Sequence, residues 1–277
     1  MTKNYLFLTR EKNKIQITTF GNSQISEKNC LVFVHGFKGF KDWGFIPYFG
    51  EYFSNKGYFV ITFNFSHNGI ERKTTEFTEL HKFAENTYSL EISELTQIIS
   101  AYTEGFFGKI SDTNKIALVG HSRGGAVSII AANISKKINA LVTWSSISNF
   151  DRFTERHKKE WRTKGFFEVL NSRTNQIMRL NKNLLDDIET NLRVKLNLEM
   201  ALKRINIPYL ILHGEQDLSV PIAEAELLFS WSDKFLTALI KIPRTGHTFN
   251  IKHPFEGSNQ IFDTVLEYTN NFFNKHF

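Results

Sequence analysis

Six short apolar runs constrain this chain more than any other feature. They read CLVFVHG (30–36), YFVITFNF (58–65), KIALVG (115–120), ALVTWSS (140–146), YLILHG (209–214) and TALIKIP (237–243). Each has the length of a β-strand, and the first is the unbroken kind expected of a strand buried on both faces. Helical patterning alternates with them. FIPYFGEYFSNKG (45–57) stops at Gly57, and ENTYSLEISELTQIISAY (85–102) sets Leu90, Leu95, Ile98 and Ile99 near helical spacing. A further helix opens at Arg123, and NQIFDTVLEYTNNFFNKH (259–276) closes the chain. This alternation predicts an α/β fold, a mainly parallel sheet with helices on both faces. Two earlier runs, YLFLTR (5–10) and KIQITTF (14–20), are joined by a polar turn and predict antiparallel strands at the start.

The rhythm breaks between residues 147 and 206. This stretch is polar, helical in pattern and much longer than an ordinary strand–helix connection. Ile177, Leu180, Leu184, Ile188 and Leu192 make one apolar stripe, and Leu198, Ala201, Leu202 and Ile205 make another. The expectation is a single domain spanning 1–277, with a helical cap inserted after the sixth strand. Trp161, Phe166 and Phe167 are candidates to face a cleft beneath that cap.

Composition excludes some classes. No run of 18 apolar residues is present, so no membrane span is expected. The opening MTKNYLFLTREKNKIQITTF lacks the long apolar core and small-residue cleavage site of a signal peptide. The single cysteine, Cys30, cannot form an internal disulfide, which points to a reducing compartment, most simply the cytoplasm. The net charge of +6 is mild, and residues 151–206 carry most of it, with 13 Lys/Arg against 8 Asp/Glu. Such an excess reads as a solvated surface or an attraction for anionic substrates. No nucleic-acid motif accompanies it, so no nucleic-acid partner is expected.

One motif carries chemistry. Gly120-His121-Ser122-Arg123-Gly124 reads G-x-S-x-G. Alone it is weak, since about one chain in ten of this length contains it by chance. Its position strengthens it, because Ser122 sits where a strand ends and a helix begins. A sharp bend there exposes the serine oxygen, and glycines on either side avoid collision across the bend. Gly125 and Ala126 let the helix pack close to the sheet, and the helix N-terminus aims free N–H groups at the reaction centre.

A serine hydroxyl needs a base, and the base needs an acid to orient it. Asp217 follows the YLILHG strand, and His247 follows the TALIKIP strand in a glycine-containing loop. Both project from the same carboxyl edge as Ser122, where open parallel sheets bind ligands. Asp151, just beyond the ALVTWSS strand, is the competing acid. The oxyanion requires N–H donors. The candidates are the backbone N–H groups of Arg123 and of Phe37, in the VFVHGFKGF loop whose Gly36 and Gly39 permit close backbone approach. His35 is expected to fix that loop and His121 to be a buried, hydrogen-bonded neighbour. Cys30 is expected to be an inert core thiol.

The segments HGFKG, GHSRGG, HGEQDLSVP and TGH together resemble the α/β-hydrolase superfamily. Within it they are similar to the dienelactone-hydrolase-like and feruloyl (cinnamoyl) esterase-like branch, over about residue 30 to the end. The dienelactone hydrolases use cysteine where this chain has Ser122. The resemblance implies ester hydrolysis without a metal or organic cofactor. No H-E-x-x-H or comparable histidine spacing is present, and GHSRGG lacks the ending of a phosphate loop. The reading is a serine hydrolase for a small-molecule ester with a small or medium acyl or aryl group, monomeric or homodimeric. The same three residues could also serve a peptidase, a thioesterase or an acyltransferase. The remaining alternative is a non-catalytic ligand-binding relative.

Overall fold

The structure, a computed structural model, describes residues 2–71 and 77–277. Strands β1 (Thr2–Leu8) and β2 (Lys14–Phe20) form the predicted antiparallel start. The next six, β3 (Cys30–Val34), β4 (Phe59–Phe63), β5 (Ile116–His121), β6 (Ile138–Trp144), β9 (Tyr209–Gly214) and β10 (Thr237–Ile242), are the six apolar runs. The sheet order is β1-β2-β4-β3-β5-β6-β9-β10. All pairings from β4 to β10 are parallel.

The period of two divides each central strand between two cores. Leu31, Phe33, Val119, Val142 and Leu212 point to one face, where α1 (Ile46–Asn55) and α9 (Gln260–His276) pack. That face is aromatic: Phe33, Phe49 and Phe262 all lie against Trp144 at ring-centroid distances of 5.6–5.7 Å. Cys30, Val32, Leu118, Leu141 and Ile211 point to the other face. There α3 (Tyr88–Thr103), α4 (Arg123–Ile134) and α8 (Ile222–Trp231) cover the sheet. Local caps set the starts of two long helices: Thr87 accepts from the N–H of Leu90, and Asn259 from that of Phe262. Cys30 is buried, and burial pushes its thiol pKa well up, which keeps it a protonated, inert core group.

The insertion between β6 and β9 differs from expectation. After α5 (Glu155–Lys164) the chain turns through Gly165 in the left-handed region, then forms a hairpin of β7 (Phe166–Asn171) and β8 (Gln176–Asn181). Helices α6 (Lys182–Asn191) and α7 (Leu198–Leu202) follow. The proposed stripe from Ile177 to Leu192 therefore spans two kinds of structure. Ile177 lies on β8 and is 61% exposed, whereas Met178 and Leu180 alternate inward. Leu184, Ile188 and Leu192 keep a helical relation, the first two on the buried face of α6 and Leu192 at its C-terminal end, half-buried against the same core. The period-two pattern of QIMRLN was masked because it runs directly into a helix without a break. The second stripe is truer: Leu198, Ala201 and Leu202 are buried on α7.

Polar ties hold the insertion to the segment ahead of α3 and to the first turn of that helix. Gln176 exchanges hydrogen bonds with the backbone of Phe77, and the Asp187 carboxylate accepts from the N–H of Ser89. The helix α2 (Leu80–Glu85) packs on β8. The insertion is thus bound across the carboxyl edge of the sheet.

Among the described residues no helix is long and apolar enough to cross a membrane.

Candidate active site

Ser122 occupies the joint between β5 and α4 with φ 57° and ψ −124°, a strained combination for a residue with a side chain. The surrounding sequence makes it attainable. A Cβ on Gly120 would lie 2.4 Å from the Gly124 carbonyl oxygen, and one on Gly124 would lie 2.2 Å from that of Val34. No larger residue fits either position without moving backbone. The Ser122 N–H donates to the Trp144 carbonyl at 2.9 Å, which anchors the joint to the neighbouring strand.

Loops after β9 and β10 bring two more predicted residues to this point. His247 Nε2 is 2.9 Å from Ser122 Oγ, and His247 Nδ1 is 2.7 Å from Asp217 Oδ2. Asp217 is only 4% exposed. Its other oxygen, Oδ1, accepts from the N–H groups of Ser219 and Val220, each at 2.9 Å. Burial alone pushes this carboxyl up. The His247 hydrogen bond and charge and the Val220 N–H outweigh it, so Asp217 is held below the usual carboxylate range. The arrangement places a proton on Nδ1 and leaves Nε2 to accept from the serine.

Asp151 lies elsewhere. Its carboxylate pairs with Lys158 at the start of α5, and no hydrogen bond links it to His247 among the described residues.

Three further histidines are positioned by their own bonds. His35 donates from Nδ1 to the Gly36 carbonyl at 3.0 Å and accepts at Nε2 from the Phe65 N–H at 3.3 Å, tying the loop after β3 to the segment just beyond β4. Burial lowers its pKa to about 4. His121 donates from Nε2 to the His247 carbonyl at 2.8 Å, which fixes the backbone of the His247 loop. Burial and the neighbouring His247 lower the His121 pKa to about 3, so it stays neutral. His213 lies 3.5 Å from Asp217 and donates to the Val220 carbonyl at 2.8 Å. Sequence reading passed over His213, although HGEQD places it four residues from the acid.

The loop carrying Phe37 presses on the serine. A Cβ on Gly36 would lie 2.9 Å from Ser122 Cβ, so only glycine permits the approach. Among the described residues, the N–H groups of Phe37 and Arg123 make no turn, loop or cap hydrogen bond to the protein. The Arg123 side chain was missed as a feature. Its guanidinium is buried, bonds Glu91 of α3 at 2.5 Å, and lies 4.8 Å from the Phe37 ring centroid and 5.6 Å from that of Tyr88.

Two clefts meet at Ser122. The first, about 380 Å³, is walled by Tyr88, Ile147, Phe153, Leu180, Leu184 and Val220. The second, about 430 Å³, runs between the loop after β3 and the tip of the β7–β8 hairpin. Both volumes are in the range of small-molecule sites. The predicted cleft aromatics are placed differently. Trp161 is fully buried beneath Phe153 and Phe167, and Phe166 lies under the Arg179 guanidinium. Phe153, packed on Trp161, lines the first cleft together with Phe37 and Tyr88.

Among the described residues, no group of three or more His, Cys, Asp or Glu side chains is placed to hold a metal ion.

The sheet, the strained serine after β5 and the loops that converge on it define a class. The alpha/beta hydrolase family model matches residues 31–260, and the chain belongs to that family. Among particular relatives, the chain is 26% identical over 288 residues to "Putative esterase/lipase 2" of Mycoplasma genitalium, covering 95% of this chain and 97% of that one. It is also similar in structure to Est1E from Butyrivibrio proteoclasticus bound to ferulic acid, with TM-score 0.70, 16% identity and coverage of 98% and 99%. A third likeness is the alpha/beta hydrolase GrgF from Penicillium sp. sh18, with TM-score 0.75, 16% identity and coverage of 100% and 99%.

Proposed function

We propose that the protein is a serine hydrolase that cleaves a small or medium acyl or aryl ester through an acyl-enzyme. The observation that carries this reading is the unbroken line Ser122 Oγ–His247–Asp217, with spacings of 2.9 and 2.7 Å. The esterase/lipase name of the Mycoplasma genitalium relative and the ferulic acid held by Est1E support ester chemistry over other acyl transfers.

In this mechanism Ser122 Oγ attacks the ester carbonyl carbon while His247 Nε2 takes the hydroxyl proton. Asp217 holds the imidazole in the required tautomer and stabilises the imidazolium. The carbonyl oxygen, now negative, is bound by the N–H groups of Phe37 and Arg123. His247 returns the proton to the leaving alcohol. Water, deprotonated by His247, then attacks the acyl-enzyme and releases the acid. The cleft walls limit water around the oxyanion, which strengthens those contacts.

Ser122→Ala is expected to reduce kcat/KM on p-nitrophenyl butyrate by about 10³-fold or more, with the fold intact by circular dichroism. Turnover at the wild-type rate in the folded variant would refute the mechanism.

A further inference from the structure

The second cleft has an unusual charge inventory. Lys38 and Arg173 face each other across it, one on the loop after β3 and one at the hairpin tip. Among the described residues each makes a single side-chain hydrogen bond, and each goes to a backbone carbonyl. Lys38 Nζ donates to Leu170 at 2.7 Å, and Arg173 donates to Lys38 at 2.5 Å. Among the described residues neither has a carboxylate within ion-pair distance, although most cations of the insertion do. Asp42, whose charge reaches the neighbouring His253, is bonded to Lys41 instead. The two cations repel: burial and the Arg173 charge both lower the Lys38 pKa.

A second, independent feature sits beside them. Asn171 lines the same cleft, is 2% exposed, and its Nδ2 has no hydrogen-bond partner among the described residues. A buried amide left unpaired carries a desolvation cost unless something accepts from it. The Arg173 guanidinium stacks at 5.6 Å from the Trp43 ring centroid, which presents it on a rigid support. Among the described residues, two cations without counter-ions and an unpaired amide thus line one cleft that reaches Ser122.

We infer that the cleft between Lys38 and Arg173 binds an anionic group, a carboxylate or phosphate, carried by one half of the ester that Ser122 attacks. The planar Arg173 fork suits either oxyanion, Lys38 supplies a point charge, and the Asn171 Nδ2 adds a neutral donor. The assignment of that anion to a substrate rests on the serine hydrolase reading, whereas the anion site itself does not.

The test therefore has two arms. The first compares kcat/KM for paired esters that differ only in charge. In one pair the anion lies on the acyl half (p-nitrophenyl hemiglutarate against its methyl ester), and in the other on the alcohol half (4-butyryloxybenzoate against its methyl ester). The ratio of anionic to neutral within one protein cancels any loss of folded enzyme. In the wild type one pair is expected to favour the anion by roughly 10-fold or more, and that pair identifies the half that enters the cleft. Arg173→Glu should abolish the preference, and Lys38→Gln should reduce it. Arg179→Gln, on the same hairpin but paired with Glu168, should leave it intact. Wild-type ratios near one in both pairs, or a preference that survives Arg173→Glu, would overturn the inference while leaving ester hydrolysis standing.

The second arm measures binding of phenyl phosphate, benzoate and benzyl alcohol to the Ser122→Ala protein by calorimetry. At least one anion should bind at least 10-fold more tightly than the alcohol and lose that advantage in the Arg173→Glu background. The tighter of the two identifies phosphate or carboxylate. Equal binding of all three would overturn the site whatever the esterase assays show, whereas anion binding without any ester turnover would refute the hydrolase reading alone.

Discussion

The two clefts that meet at Ser122 both contain arginine, yet they have opposite electrostatic character. In the first, Arg123 is bonded to Glu91 and Arg152 to Glu224, each at 2.5 Å. Their charges are paired, and the rest of the wall is mainly apolar, with Ser122, Ser219 and His247 as its other polar residues. In the second, Lys38 and Arg173 bond only carbonyl oxygens among the described residues. A count of basic residues in the insertion cannot distinguish these cases. The placement of carboxylates decides whether a cation is structural or available to a ligand. On the proposed reading, the first cleft takes the apolar half of a substrate and the second its charged half.

The same contrast appears within α3. Glu91 has a cation partner, whereas Glu94, also buried, is bonded to Ser66 and faces no cation within ion-pair distance among the described residues. Burial raises the Glu94 pKa to about 7.

The largest expected effect comes from removing what both clefts share. Asp217→Asn favours the wrong His247 tautomer and should lower kcat by about 10³-fold or more on every ester, anionic or neutral. Asp151→Asn, which breaks only the pair with Lys158, should change kcat by a small factor. Steady-state kinetics on the two variants separates the candidate acids, and the reverse ranking would move the acid to the loop after β6.

Next comes the neutralised cleft. Glu91→Gln leaves the buried Arg123 guanidinium without its counter-ion and should destabilise the fold by about 3–5 kcal/mol, read by urea denaturation. In whatever fraction stays folded, the first cleft should begin to tolerate an anionic group. A variant as stable as the wild type would mean that the pair contributes nothing beyond its desolvation cost.

Glu94 offers a pH-dependent version of that test. Its folded pKa of about 7 lies above the ordinary 4.5, so the folded state holds the proton more tightly than the unfolded chain. The stability it contributes is present below about pH 4.5 and is lost as pH rises through 7, by up to about 3 kcal/mol. Thermal melts should show wild type losing ground to Glu94→Gln between pH 5 and 8. A constant difference across that range would contradict the unpaired state of Glu94.

The smallest effect is expected at Arg152. Because Glu224 already holds it, Arg152→Gln should alter the ratio of anionic to neutral ester turnover by less than about 2-fold, since a partly exposed pair contributes little. A change as large as that expected for Arg173→Glu would erase the distinction between the clefts.

Much of this was legible in the sequence because it is local. The six apolar runs became the six strands from β3 to β10 that pair in parallel, and the glycines around Ser122 are adjacent to it in the chain. Asp217 and His247 could be singled out because each follows a strand directly. The hairpin was hidden because the Leu180–Leu184–Ile188 spacing looks continuous while the backbone changes from β8 to α6 between them. The character of the clefts was hidden more deeply. Arg123 and Glu91 are 32 residues apart, and Lys38 and Arg173 meet across 135. Whether a charge is paired depends on such long-range contacts, and no local pattern records them.

The central claim is that both clefts serve one nucleophile, Ser122. Labelling with a fluorophosphonate, followed by intact-mass measurement and peptide mapping, tests it most directly. The account predicts one adduct per chain, located on Ser122, absent from Ser122→Ala and slowed by Asp217→Asn. A wild-type protein that stays unlabelled, or an adduct that maps to another residue and persists in Ser122→Ala, would contradict it.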